Sequence, residues 1–294
     1  MWFNIAHISF LFTLPVMLWR WDCRLAVAYG YCLVCFLLMA LSTCIAWYRR
    51  PAVFALPDLG HDLLPQISTI AGWDAHVMCD NLLRFTVAIT FVFIHRHAER
   101  SAILRRFFVV YGSVLALRSC TLLMTALPDP YFLCAASATG SSRWSAIPWR
   151  AVLADVFALF GPSEKNSMTC GDLIFSGHTV LFVLCALTWH SYDRCTRGVN
   201  PTKLLIWMLS VLGTVLLLVT RMHWTIDIAL AYYITITSWN FYHSVCRALD
   251  HGHYMKPVIY IDGALIYPFI AWLERGVNYA TFQKENEEAR KIKK

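Results

Sequence analysis

Six long apolar segments divide the chain, at about residues 25–48, 82–95, 107–127, 173–191, 204–220 and 226–246. They constrain the fold more than any other feature, because about 20 apolar helical residues cross a bilayer core. The second is short for a span and is expected to extend back toward Ala71. Composition agrees: 58% of the 294 residues are hydrophobic and 15% are charged, against about 25% charged in a typical soluble domain. The expected fold is all-α, a polytopic membrane bundle with six transmembrane helices at 25–246. Residues 1–24 form an apolar segment with Trp2 and Trp19 near its ends, read either as an interfacial helix or as a seventh span. It lacks the basic start of a secretory signal peptide. Residues 247–294 form a C-terminal segment with a basic tail.

Orientation follows from where Lys and Arg fall. Arg96, Arg100, Arg105 and Arg106 follow the second segment, Arg194, Arg197 and Lys203 follow the fourth, and Lys291, Lys293 and Lys294 close the tail. All three clusters lie on one side, expected to be cytosolic. The net charge of +7 is thus topology signal, and no basic stripe on a soluble domain points to nucleic acid. Most of the eleven Cys lie inside apolar runs, where thiols behave as small hydrophobes. No paired CxxC or spaced Cys/His set appears, so no metal site is expected.

Two polar stretches then converge on the opposite, lumenal or exterior side. CGDLIFSGHTV (170–180) opens the fourth segment, and RMHWTIDIALAYY (221–233) joins the fifth to the sixth. His223 and Asp227 are four apart, so on a helix they share a face. A carboxylate on one imidazole nitrogen fixes the tautomer and supports the charge formed when the other nitrogen attacks. With His178 as a second imidazole, the set suffices for double displacement at phosphorus: one His attacks, and the other serves as acid and then base. A lone His at a span boundary is commonly just an interfacial polar residue, and HxxxD is often only a structural pair. Two such features at one depth, one preceded by Ser176-Gly177, are harder to dismiss, and spacing and topology alone leave the catalytic and the structural reading equally open.

The same two stretches resemble the catalytic motifs of the sphingomyelin synthase family, within the lipid phosphate phosphatase (PAP2-like) superfamily. LPDLGHD (56–62) is similar to the family's first lumenal motif, with Asp58 and Asp62 matching its acids. RSCTLLMTALPDP (118–130) is similar to the second. The resemblance runs from about residue 25 to 275 and implies roles residue by residue. His223 is the nucleophile, Asp227 its partner and His178 the acid/base. Arg118 is a phosphate contact, and Asp58, Asp62 and Asp172 are further substrate-side groups, Asp172 near a headgroup cation. Two features depart from the superfamily's phosphatases: Leu217 stands where they carry an Arg six residues before the nucleophile, and their upstream Lys/Arg-Pro motif has no counterpart. Arg221 either replaces that phosphate ligand or caps its loop. Cys134 and Cys170 bracket the long loop on the oxidising side, as a disulfide or as two free thiols. The segment before residue 25 is too short for the SAM domain found in one branch of the family.

The resemblance implies a sphingolipid synthase. It would move phosphocholine or phosphoethanolamine from a glycerophospholipid to ceramide through a phosphohistidine, release diacylglycerol and need no cofactor. Self-association is left open. Inositol phosphorylceramide synthesis and a phosphatase or phospholipase-C-like hydrolysis at the same site are the rivals, and a transporter or scaffold is the non-enzymatic one. The family implies the Golgi or plasma membrane, with the endoplasmic reticulum as a third address.

Overall fold

The computed structural model describes residues 22–49, 51, 56–130, 147–158, 174–193, 200–250 and 266–275. Its long helices are α1 (Cys23–Arg49), α3 (Ala75–Arg96), α4 (Arg100–Met124), α6 (Gly177–Tyr192), α7 (Pro201–Val219) and α8 (Thr225–Asp250). Short helices α2 (Leu59–Leu63), α5 (Trp149–Ala158) and α9 (Tyr267–Glu274) and one small hairpin complete the elements among the described residues. Among the described residues four helices, α1, α3, α4 and α7, are long and apolar enough to cross a membrane. The chain is thus a mostly helical, integral membrane protein. The other two long helices fall short of that measure: α6 has 16 residues, about 24 Å at 1.5 Å per residue. Helix α8 carries Ser238, Asn240 and His243 along its 26 residues.

The second segment does extend back from 82 toward Ala71, but its helix starts at Ala75, four residues short. Thr69–Ile70 (β1) pairs antiparallel with Trp73–Asp74 (β2), and Ala71 and Gly72 turn the chain with φ of 50° and 82°. Asp74 then starts α3, its side chain accepting from the His76 and Val77 amides. Such a cap satisfies amides that the first helical turn leaves unpaired.

Helix α6 is the centre of the bundle. Its residues from His178 to Thr188 are buried, as expected of a helix apolar on every side, and it packs against α3, α4, α7 and α8. Helices α1 and α4 pack along each other on one flank. At the end of the bundle away from His178, Arg106 is buried and makes two parallel bonds to Glu274: Nε to Oε1 at 3.1 Å and Nη2 to Oε2 at 2.8 Å. Tyr242 donates to Glu274 at 2.9 Å, and Arg106 Nη1 donates to Tyr192 at 3.0 Å. A buried charge pair is tolerable when its hydrogen bonds are satisfied in this way, and this one fixes α9 against α4 and α8. The opposite end of the bundle holds the polar stretches singled out above.

Candidate active site

The site is built where the start of α6, the start of α8 and the first turns of α3 meet. Ser176 caps α6, its hydroxyl accepting from the Thr179 amide at 3.3 Å. Gly177 follows because the Arg118 guanidinium passes close by: a Cβ there would sit 3.2 Å from Arg118 Nη1. Arg118 is buried beneath this segment and donates from Nε to the Phe175 carbonyl at 2.5 Å. Thr121, one turn on, donates to the Ile174 carbonyl at 2.8 Å. Helix α4 therefore grips the backbone just ahead of His178.

His223 and Asp227 do approach each other, but not on one helical face. Helix α8 begins only at Thr225, so His223 lies in the turn before it. Asp227, in the first turn of α8, reaches back so that Oδ2 accepts from the Trp224 amide at 3.1 Å. That is the reciprocal half of a capping box. The same oxygen lies 3.6 Å from His223 Nδ1, an ion-pair rather than a hydrogen-bond distance. Oδ1 accepts from the Ile174 amide at 3.1 Å, and the Asp227 carbonyl accepts from the Ser176 amide at 3.2 Å. Asp227 is fully buried, and it joins the His178 segment to the His223 turn.

The two imidazoles face each other edge-on, with ring centroids 6.1 Å apart at 64°. Each has a carboxylate of its own. His178 Nε2 lies 3.1 Å from Asp80 Oδ1, on α3. Asp80 went unread in the sequence because the clear apolar run starts at 82. The usable signal was an acid within an apolar span, which is a functional residue by default.

The other expected residues are placed as follows. Asp58 accepts from the Thr225 amide at 2.8 Å, the Thr225 hydroxyl at 2.6 Å and the His61 amide at 3.0 Å. It thereby caps both α2 and the entry to α8. Burial works to raise its carboxyl, and the hydrogen bonds from Thr225 and His61 outweigh that and hold it below the usual range. The stability this adds is complete above about pH 4 and is lost only as pH falls through the lowered value. Gly60 sits so close that a Cβ would lie 2.2 Å from the Thr225 hydroxyl. His61 Nε2 bonds the His223 carbonyl at 3.0 Å. Burial lowers the His61 pKa, favouring the neutral ring. Asp62 is exposed. Arg221, at a left-handed φ of 59°, donates from Nη2 to the His61 and Leu64 carbonyls at 2.8 and 3.0 Å. It clamps α2 over the turn that carries His223. Leu217 is buried in an apolar cluster on α7. Asp172, Cys134 and Cys170 lie outside the described residues.

A buried pair of imidazoles, each against a carboxylate at one end of a helical bundle, offers groups of the kind that can act as a nucleophile or as an acid and base. In keeping with it, residues 169–244 match the PAP2 superfamily C-terminal family. Over a longer stretch the chain is 29% identical to mouse (Mus musculus) sphingomyelin synthase-related protein 1, across 76% of this chain and 44% of the relative. It is 29% identical to human phosphatidylcholine:ceramide cholinephosphotransferase 1, across 75% and 52%. To the Caenorhabditis elegans protein of the latter name it is 28% identical, across 82% and 52%. The chain spans about half the length of these curated relatives. The similarity to these sphingomyelin synthase relatives thus extends over most of this chain, and the similarity to the PAP2 superfamily C-terminal family over residues 169–244.

Proposed function

We propose that the chain is a sphingolipid synthase that transfers a phosphoalcohol from a glycerophospholipid to ceramide. The observation that carries this reading is the pair of facing imidazoles 6.1 Å apart, each with its own carboxylate. With Nδ1 of His223 turned to Asp227, Nε2 is the nitrogen that attacks phosphorus. The N–P bond forms, the bond from phosphorus to the diacylglycerol oxygen breaks, and His178 protonates that oxygen. His178 then takes the proton of the ceramide primary hydroxyl. The new O–P bond forms, the N–P bond breaks, and His223 is regenerated. Two moderate barriers replace one high one, and a single imidazole serves as acid and then base.

Relatives named for phosphatidylcholine and ceramide support a choline donor, and the same chemistry accommodates ethanolamine. The purified protein, given ceramide and a mixture of phosphatidylcholine, -ethanolamine and -inositol, is expected to form a ceramide phosphoalcohol identified by mass. Release of the headgroup only as free phosphoalcohol, with ceramide present, would mean that water is the acceptor and would overturn the synthase reading.

In the membrane, α6 and α8 complete a six-helix bundle, with the short α6 shielded from lipid by its neighbours. The site end faces the lumen or exterior, and the Arg106 end and the C-terminus face the cytosol, in a Golgi or plasma membrane. The excess of Lys and Arg in the loops at that end supports this orientation. A glycan acceptor inserted near Ser141 is expected to be modified and one near Glu99 not; the reverse pattern would invert the topology.

A further inference from the structure

Among the described residues three guanidinium groups lie near the imidazole pair, and two are engaged with backbone. Arg118 is bonded to the Phe175 carbonyl, and Arg221 to the His61 and Leu64 carbonyls. The third, Arg84, lies on α3 one turn beyond Asp80. It sits about 13 Å into the helix from Ala75 at 1.5 Å per residue. Side chains on a helix lean toward its N-terminus, so the long Arg stem carries its charge back toward the site end. The distances agree: Nη1 donates to Asn81 Oδ1 at 2.6 Å, and Nη2 stands 3.7 Å from Asp80 Oδ2. That second distance is an ion pair without a hydrogen bond. Nε and Nη2 of Arg84 are buried and have no hydrogen-bond partner among the described residues.

Those two nitrogens form one edge of the guanidinium, with N–H bonds that run parallel and fit two oxygens of a single anion. The protein itself shows what such an edge holds, because at Arg106 the same two nitrogens bind the two oxygens of Glu274. Asp80 cannot serve Arg84 in that way, since its Oδ1 is bonded to His178. Charge points the same way. When His178 carries the proton it must give to the leaving group, His178 and Arg84 together place two positive charges against the single carboxylate of Asp80. One positive charge is then left to attract an anion.

Resting on the synthase reading, we propose that Arg84 binds the donor lipid's phosphodiester through its Nε–Nη2 edge. The contact would hold the phosphorus beside His178 while His223 attacks. Arg84 is thus a substrate-binding residue for the donor and makes no contact with ceramide.

The test uses the full chain in detergent, with Arg84→Gln and Arg84→Lys and a short-chain phosphatidylcholine as the probe. Donor Kd is read from tryptophan fluorescence, and donor and ceramide KM from diacylglycerol and ceramide phosphoalcohol formed. The Kd reading needs no turnover, so it stands even if wild-type protein fails to use ceramide, which would count against the synthase reading alone. Arg84→Gln is expected to weaken donor Kd and raise donor KM about tenfold or more, with ceramide KM unchanged. Arg84→Lys keeps the charge but not the two-pronged edge and should fall between. A thermal unfolding midpoint close to wild type for Arg84→Lys separates a binding defect from misfolding. Unchanged donor Kd in Arg84→Gln overturns the proposal. So does a fall in kcat alone with a shifted pH profile, which would mean that Arg84 acts only through Asp80 and His178. Loss of inorganic phosphate binding with donor Kd intact would assign the residue to a free anion and overturn it as well.

Discussion

Replacing His223 with Ala is expected to lower diacylglycerol release by about four orders of magnitude or more, the scale seen when an enzyme nucleophile is removed. The loss should be equal with and without ceramide, because the first half-reaction already requires the imidazole. The substitution is selective. His223 contributes its backbone carbonyl to the bond with His61, and Ala keeps that carbonyl in place. What disappears is the buried ring between Asp227 and His178. A small cavity will lower the unfolding midpoint by a few degrees at most, which circular dichroism in detergent would measure. Turnover within tenfold of wild type would remove His223 from the chemistry and return the site to the non-enzymatic alternatives.

The second large effect is expected from Asp227→Asn. Two backbone amides, Ile174 and Trp224, donate to the two oxygens of this carboxylate. An amide side chain offers only one acceptor, and its NH2 would confront the other N–H. Stability should therefore drop by about 1–3 kcal/mol for one buried donor left unpaired. Catalysis should fall further, by about 10³- to 10⁴-fold in kcat, as when a buried acid behind a catalytic histidine loses its charge. Without the negative charge, His223 keeps neither its tautomer nor support for the positive charge it acquires on attack. Assays at a temperature well below the variant's unfolding midpoint separate the two contributions. Near-normal kcat there, with only the midpoint lowered, would reduce Asp227 to a structural tie.

How far the sequence could be read differs from residue to residue. The pairing of His178 with His223 was legible because each motif stands at the start of an apolar segment entering from the same side. Alternating spans must bring such starts to one end of the bundle. The contact of His223 with Asp227 was also legible, although its geometry was not. A spacing of four implies a shared helical face only if the helix includes both residues, and here it starts between them. The break at Asp74 was hidden because the stretch before it is apolar enough to continue a helix. Only the Ala71-Gly72 turn and the Asp74 cap end it. The resemblance marks Asp58 as a substrate-side group, and Arg221 reads either as a phosphate ligand or as a cap on its loop. In the structure both link α2 to the turn before α8, across more than 150 residues of chain.

By itself the sequence determined which segments are helical and apolar and which two histidines come to one end, because hydrophobic run length and charge placement are local properties. The tertiary structure alone decided that Asp80 faces His178 across 98 positions and that Arg118 underlies Gly177. Helical periodicity says which residues share a face. Only the packing of α3, α4 and α8 around the central α6 says which faces meet.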